Sequence, residues 1–180
     1  MIDKFSNIFD GLKAAYGTYK INGRDTKGKA TGKATVVKES RTTETWEAHL
    51  SGQQSIGIIP INEDNQCKWG CIDVDEYNFN HQELIERLQK AKLPLVVCRS
   101  KSGGAHVFLF TTEFIPAKDM QETLKRLAIS LGYGSCEIFP KQIVLHLERG
   151  DVGNFLNTPY FDHENGLRYA FKPDGTAATI

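Results

Sequence analysis

The sequence has no excess charge of either sign, few cysteines and no long apolar run, and each shortage removes a class of protein. Its 22 Lys and Arg balance 22 Asp and Glu, so no global field draws it to nucleic acid. No apolar stretch approaches the roughly 18 residues that suggest a membrane span. Met1-Ile-Asp-Lys4 opens without the apolar core of a signal peptide. The expected compartment is therefore the cytoplasm, with no membrane partner. Four cysteines (Cys67, Cys71, Cys98 and Cys136) are too few for a disulfide scaffold in 180 residues. Cys67 and Cys71 have CxxxC spacing, yet no second Cys/His pair follows at zinc-finger distance, so reduced, mostly buried thiols are expected. There is no internal repeat, and no GxxxxGK[ST] stands before a helix, which excludes a P-loop.

What is present is ordinary for a globular chain, 40% apolar and 24% charged, and long enough for one domain or two fused subdomains around a real core. The charge is unevenly placed. Lys20, Arg24, Lys27, Lys29, Lys33, Lys38 and Arg41 are crowded into 20–41 against only Asp25 and Glu39. Such a cluster reads as a solvated loop or as a phosphate-contacting strip. The Gly/Lys/Thr-biased run 26–35 reads as a mobile loop.

Residues 5–16 read as a short helix or strand, 43–50 as a helix capped by Thr43, and 55–61 as an apolar strand. From residue 69 the pattern sharpens. Residues 69–75 alternate as a strand, Asn80 caps a helix running to Ala91, and 94–99 form a second strand. After the turn 101–104 comes a third strand, 105–110. Pro116 opens a second amphipathic helix that buries Leu124, Leu127, Ala128 and Leu131 before Gly132, and a fourth strand starts near Glu137. This β-α-β-β-α-β order is the ferredoxin-like, or split βαβ, pattern of an α+β fold. In that arrangement the first strand is central, flanked antiparallel by the third and fourth. Asp73 and Asp75 should then lie beside His106 and Glu137, with Arg99 and Ser100 arriving at the same rim.

Asp73 and Asp75 stand two apart on a strand, so both side chains share a face. Paired carboxylates repel, and a hard divalent cation, Mg²⁺ or Mn²⁺, removes that repulsion. Glu137 would complete such a pocket. An isolated DxD is usually a surface loop. This one ends the apolar strand Trp69-Gly-Cys-Ile72, where unpartnered charge is costly. The second element is Arg99-Ser100-Lys101-Ser102-Gly103-Gly104-Ala105-His106. Its glycines permit close backbone approach, its N–H groups form an anion nest, and its cations and hydroxyls suit a triphosphate. Alone, Gly-Gly would support only a hairpin turn. The third element, Glu137-Ile-Phe-Pro-Lys141-Gln142 with Gly153–Tyr160, offers Lys141 to phosphates and Asn157 and Tyr160 to a sugar or base. A loop-satisfying role is the plain alternative for Asn154 and Asn157.

Asp-Val-Asp75, Ser-Gly-Gly-Ala-His106 and Glu-Ile-Phe-Pro-Lys141 resemble, in order and spacing, the three motifs of the archaeo-eukaryotic primase superfamily. Trp46-Glu-Ala-His-Leu-Ser-Gly52, Gly57-Ile-Ile-Pro60 and Gly153-Asn-Phe-Leu-Asn-Thr-Pro159 look like the primase-polymerase domains of mobile elements and TOTE conflict systems. The resemblance implies an RRM-like catalytic unit over 67–180 packed on a smaller N-terminal α/β unit, 1–66, which carries the basic segment. It implies template-directed nucleotidyl transfer from NTP or dNTP with two Mg²⁺ or Mn²⁺ ions. Asp73, Asp75 and Glu137 would be the metal ligands, and His106 the second-motif histidine. Arg99 to Gly104, His106, Lys141 and Asn157 would hold nucleotide, and Lys27, Lys29 and Lys33 nucleic acid. Partners would be single-stranded DNA template, primer, and a helicase or C-terminal primase module in cis or trans. Two departures stand out. Gly104 occupies the position usually held by Ser in Ser-x-His, with Ser102 or Ser100 as substitutes, and the third acid is Glu where Asp is common. No zinc-binding insert of the family appears in 17–45.

Two other classes compete. A metal-dependent nuclease or replication initiator would also use carboxylates, although a rolling-circle initiator needs a His-x-His site with a catalytic Tyr. A non-catalytic RRM-like binder would show aromatics on its central strands, for which Phe108 is the candidate.

Overall fold

Side-chain alternation and polar caps set most element boundaries. In a computed structural model describing residues 1–24 and 30–180, the chain runs α1 (Ile2–Ile8), β1 (Tyr16–Arg24), β2 (Ala30–Val37), α2 (Thr43–Leu50), β3 (Ile56–Ile58), β4 (Gln66–Val74), α3 (His81–Lys90), β5 (Leu95–Arg99), β6 (Ala105–Pro116), α4 (Ala117–Ser130), β7 (Glu137–Phe139) and β8 (Leu156–Asn157). Asn80 caps α3 by accepting the Glu83 N–H at 3.2 Å, and Ala91 closes it, as the sequence predicts. The cap of α2 is Thr42, not Thr43. Its hydroxyl accepts from Thr45 N–H at 3.4 Å while the Thr45 hydroxyl takes the Thr42 N–H at 3.2 Å, a reciprocal box that holds both orphan donors. Residues 30–35 are not loop. They belong to β2, which pairs along β1 from Tyr16↔Val37 to Arg24↔Ala30. Lys27 and Lys29 lie outside the described residues, and Lys33 is exposed on β2.

Among the described residues the strands form two antiparallel sheets, ordered β2-β1-β3-β8 and β5-β6-β4-β7. In the second, β4 is flanked by β6 and β7, both antiparallel to it, as the strand-order argument requires. One face of this sheet, Trp69, Cys71, Phe108 and Phe139, packs with Phe5 and Phe9 of α1, Trp46 and Leu50 of α2, and Ile56, Ile58 and Leu156 of the first sheet. The other face, Ile72, Val74, Val97 and Val107, packs with Leu84 and Leu88 of α3 and Met120, Leu124 and Ala128 of α4. Helices α3 and α4 thus cover one side, and the first sheet with α1 and α2 the other. Phe108 is 0% exposed, its ring set against Phe9 at 5.5 Å and Trp69 at 5.7 Å. That removes it as a stacking platform, because burial of such a ring, worth about 1.5–3 kcal/mol, is already committed to the core.

The first sheet depends on a late segment. β8 joins β3 through Gly57↔Asn157 and Ile58↔Leu156. The preceding Phe155 lies across Gly17 and Gly57, themselves register partners of β1 and β3. A Cβ on either glycine would overlap the ring. Among the described residues no helix is long and apolar enough to cross a membrane.

Candidate active site

Alternation along β4 sends Ile72 and Val74 to the helical side and leaves Asp73 on the other. Register then fixes its neighbours: Asp73 stands directly opposite both His106 of β6 and Glu137 of β7. Directly opposed residues share a face with Cβ atoms about 4.5–5.5 Å apart. The buried His106 ring brings Nε2 to 3.4 Å from Asp73 Oδ1, and the Asp73 side chain is 25% exposed. Asp75, just past the strand, accepts the Ser102 hydroxyl at 2.7 Å, and Ser102 lies 3.1 Å from the buried Ser100 hydroxyl. A cavity of about 250 Å³ opens here, lined by Tyr19, Asp73, Asp75, Ser100, Lys101, Ser102, His106 and Asn157. Segments that the sequence separates widely have converged on one site.

The turn 100–104 is built from its glycines. Gly103 has φ +96°, the left-handed region, and a Cβ on Gly104 would overlap the Val74 carbonyl at the end of β4. A serine at 104 would therefore not fit, and Ser100 and Ser102 supply the cavity's hydroxyls instead. Beneath the turn, His81 Nε2 lies 2.9 Å from Gly104 O, which also accepts the Ser100 N–H at 2.9 Å. Burial pushes the His81 imidazole down in pKa, and the Arg99 guanidinium adds to the effect. The Nε2–H form donates to that carbonyl without carrying charge.

The remaining sequence-predicted residues divide. Lys101 and Asn157 line the cavity. Arg99 packs its guanidinium against Gly103 and donates its backbone N–H to Tyr169 at 2.9 Å. Glu137 has the right register, but its side chain is 61% exposed and its carboxylate pairs with Lys141 Nζ at 2.7 Å. Among the described residues, no three His, Cys, Asp or Glu side chains gather closely enough to hold a metal. Asn154 is tied to Gln142, accepting its amide N–H at 2.5 Å, the loop-satisfying alternative. Tyr160 is not a sugar-side residue. Its hydroxyl donates to Ala178 O at 3.0 Å and its ring meets Phe5 edge-on in the core.

Two residues at the site escaped the sequence reading. Tyr19 comes from β1 and carries no local signal that links it to residues 73–106. His81 reads as an ordinary first residue of a helix. The three buried thiols are held in the protonated form: burial pushes Cys67 up to about 12, and raises Cys71 and Cys98 strongly, with the Asp73 charge adding at Cys71. A larger cavity of about 650 Å³ between α1, α2 and 162–165 is walled by Asp3, Glu47, Asp162 and Glu164, a charge that repels a triphosphate.

Fold and cavity together place the chain among α+β proteins with a carboxylate-lined cavity at a sheet rim. Residues 8–171 match the family described as TOTE conflict system, Archaeo-Eukaryotic Primase domain, and the chain belongs to that family. No curated protein matches it. The family read from three short motifs is thus the family of the chain. At superfamily level it means primase-like nucleotidyl transfer, on nucleotides and nucleic acid.

Proposed function

We propose that the chain is the catalytic core of a primase-polymerase, which joins NTPs or dNTPs to a primer 3′-hydroxyl or an initiating nucleotide on single-stranded DNA. The single observation that carries this reading is the cavity in which Asp73 and Asp75 face the Ser100–His106 turn. Carboxylates and phosphate-binding donors in one hollow are what phosphoryl transfer requires. In this reading β4 to β7 with α3 and α4 form an RRM-like catalytic unit within 67–180. Residues 1–66 form the smaller unit, completed by β8.

The donor set suits hard cations. Two Mg²⁺ or Mn²⁺ ions held by Asp73, Asp75 and Glu137 would acidify the attacking hydroxyl and neutralise the departing pyrophosphate. Glu137 reaches that role by leaving Lys141. An exposed ion pair is worth at most about 1 kcal/mol, so exchange of partners is easy. Lys141, once released, reaches the phosphates. Ser100, Ser102, Lys101 and His106 bind the triphosphate and hold it in line, a positioning contribution. His106 donates from Nε2 to a phosphate oxygen, and Asn157 takes the sugar or base side. Lys33 of β2, with Lys27 and Lys29, contacts the template backbone.

The test is nucleotide incorporation on single-stranded DNA with Mg²⁺ or Mn²⁺, with ribo- and deoxynucleotides, and with and without primer. Product that grows with template and disappears in Asp73→Asn supports the proposal. Template cleavage without incorporation would make the site a nuclease. Binding with neither reaction would make it a non-catalytic module.

A further inference from the structure

Glu137 stands between two hollows. It does not line the cavity that holds Asp73, Asp75 and the Ser100–His106 turn. It lines a second one, of about 430 Å³ between α4 and β7, together with Gln121, Lys125 and Lys141. The sheet order β5-β6-β4-β7 sets the two on opposite flanks of Asp73, with His106 of β6 on one side and Glu137 of β7 on the other. One glutamine organises the second hollow. Gln121 Nε2 donates to the Pro140 and Lys141 carbonyls, each at 2.9 Å, and so ties the segment after β7 to α4. Its Oε1 accepts from Lys125 Nζ at 2.7 Å, which turns that lysine towards the same segment. The glutamine is neutral and, among the described residues, Lys125 makes no ion pair, so its charge is not cancelled. Lys141 is cancelled by Glu137 at 2.7 Å, but only until that carboxylate takes a cation. Two ammonium groups then border the hollow, a field that favours an anion.

We propose that this second hollow is a phosphate site for the strand that supplies the attacking hydroxyl, with Lys125, seated by Gln121, meeting its 3′-terminal phosphodiester. This rests on the nucleotidyl-transfer reading and adds a place for the second substrate. In phosphoryl transfer the attacking and leaving oxygens lie roughly in line. The hydroxyl oxygen bonds to the α-phosphorus as the bond to the bridging oxygen breaks; pyrophosphate leaves with the electron pair, and the hydroxyl proton passes to water. With pyrophosphate leaving towards the Ser100–His106 turn, the hydroxyl enters from the Glu137 flank, and the strand behind it lies over the second hollow. A contact to backbone phosphate positions the strand and reads no sequence. The plain alternative is that Gln121 and Lys125, at i,i+4, merely support α4, which is worth a few tenths of a kcal/mol.

The experiment measures steady-state incorporation by the full chain on primed single-stranded DNA, with primer-template and nucleotide varied separately. Lys125→Ala is expected to raise the KM for primer-template about tenfold, the lower end of what a charge-assisted hydrogen bond supplies. The KM for nucleotide should stay within about twofold, and Lys125→Arg should restore the wild-type value for primer-template. A primer whose last phosphodiester is a neutral methylphosphonate should carry the same tenfold penalty with wild type and none with Lys125→Ala. A penalty of equal size in both proteins overturns the proposal, because the lysine then does not meet that phosphate. An equal rise in both KM values in Lys125→Ala, or unchanged values with a lowered melting temperature, overturns it in favour of helix support. In each of these cases an active wild type leaves the nucleotidyl-transfer reading intact. Absence of incorporation by wild type on every template, with Mg²⁺ and with Mn²⁺, overturns both.

Discussion

Two buried histidines show how one residue type meets opposite surroundings in this molecule. His49, on α2, is 0% exposed and satisfied on both nitrogens. Nδ1 accepts the Ile56 N–H at 3.2 Å, so Nε2 carries the proton and donates to Pro159 O at 2.8 Å. Burial drives its pKa down to about 4, with the Arg168 charge adding. It ties α2 to β3 and to the segment after β8. His106 is also buried, yet one nitrogen looks into the cavity at Asp73 rather than at backbone. The first histidine is locked and neutral. The second is held by its strand, with its chemistry turned outward. Burial alone, therefore, does not separate a histidine locked by backbone partners from one that faces a cavity; the identity of the partner atoms does.

The sharpest way to break this contrast is to remove a carboxylate beside His106. Asp73→Ala or Asp75→Ala should drop nucleotide incorporation to near background while the melting temperature stays close to wild type, since both groups sit at the cavity rim. A collapsed fold in either variant would make the carboxylates structural. Next in size is His49→Gln, which strands Ile56 N–H or Pro159 O. An orphaned buried backbone group costs about 1–3 kcal/mol, read by denaturant unfolding, with activity per folded molecule unchanged.

The same histidine predicts a pH dependence. Its folded pKa lies below the unfolded value of about 6.5, so the unfolded chain binds the proton first and stability falls as pH drops. At about 1.4 kcal/mol per pH unit, wild type should lose about 3 kcal/mol relative to His49→Gln between pH 6.5 and 4. An unchanged difference across that window would mean that His49 is solvated. His106→Ala should instead cost about 10- to 150-fold in nucleotide affinity or turnover, the worth of a charge-assisted hydrogen bond, with little change in stability. A destabilised His106→Ala with normal activity per folded molecule would make the two histidines alike. The smallest effect belongs to the basic strip. Reversing Lys27, Lys29 and Lys33 should lower the salt slope of template binding by about one for each phosphate no longer neutralised, with nucleotide affinity intact.

Long-period signals were legible. The alternation of β4, the Asn80 cap, the amphipathic α4 and the β-α-β-β-α-β order sufficed to place Asp73 between His106 and Glu137 before any coordinate. Three features were not legible, each for a physical reason. β2 escaped because its residues 32–36 are exposed on both faces, which erases the apolar-polar alternation that marks a strand. β8 is two residues long, too short for any period, and its partner lies far upstream. Tyr19 illustrates the general limit: its ring meets the Lys101 ammonium, and a cation–π pair between distant segments leaves no trace in either one.

The seat of Phe155 across Gly17 and Gly57 gives the cavity a schedule. Asp73, His106 and Glu137 lie within residues 73–137, on strands that pair directly with one another. Of the opposite wall, Tyr19 is held by the pairing of β1 with β2 and β3, whereas Asn157 comes only with β8, the strand that Phe155 leads into. Chains emerge N-terminus first, at about 5–20 residues per second. A chain made only as far as Glu137 thus has every residue of the acidic rim but lacks Asn157, and the last part of the cavity's lining is added about a second or more later, when residue 157 is made.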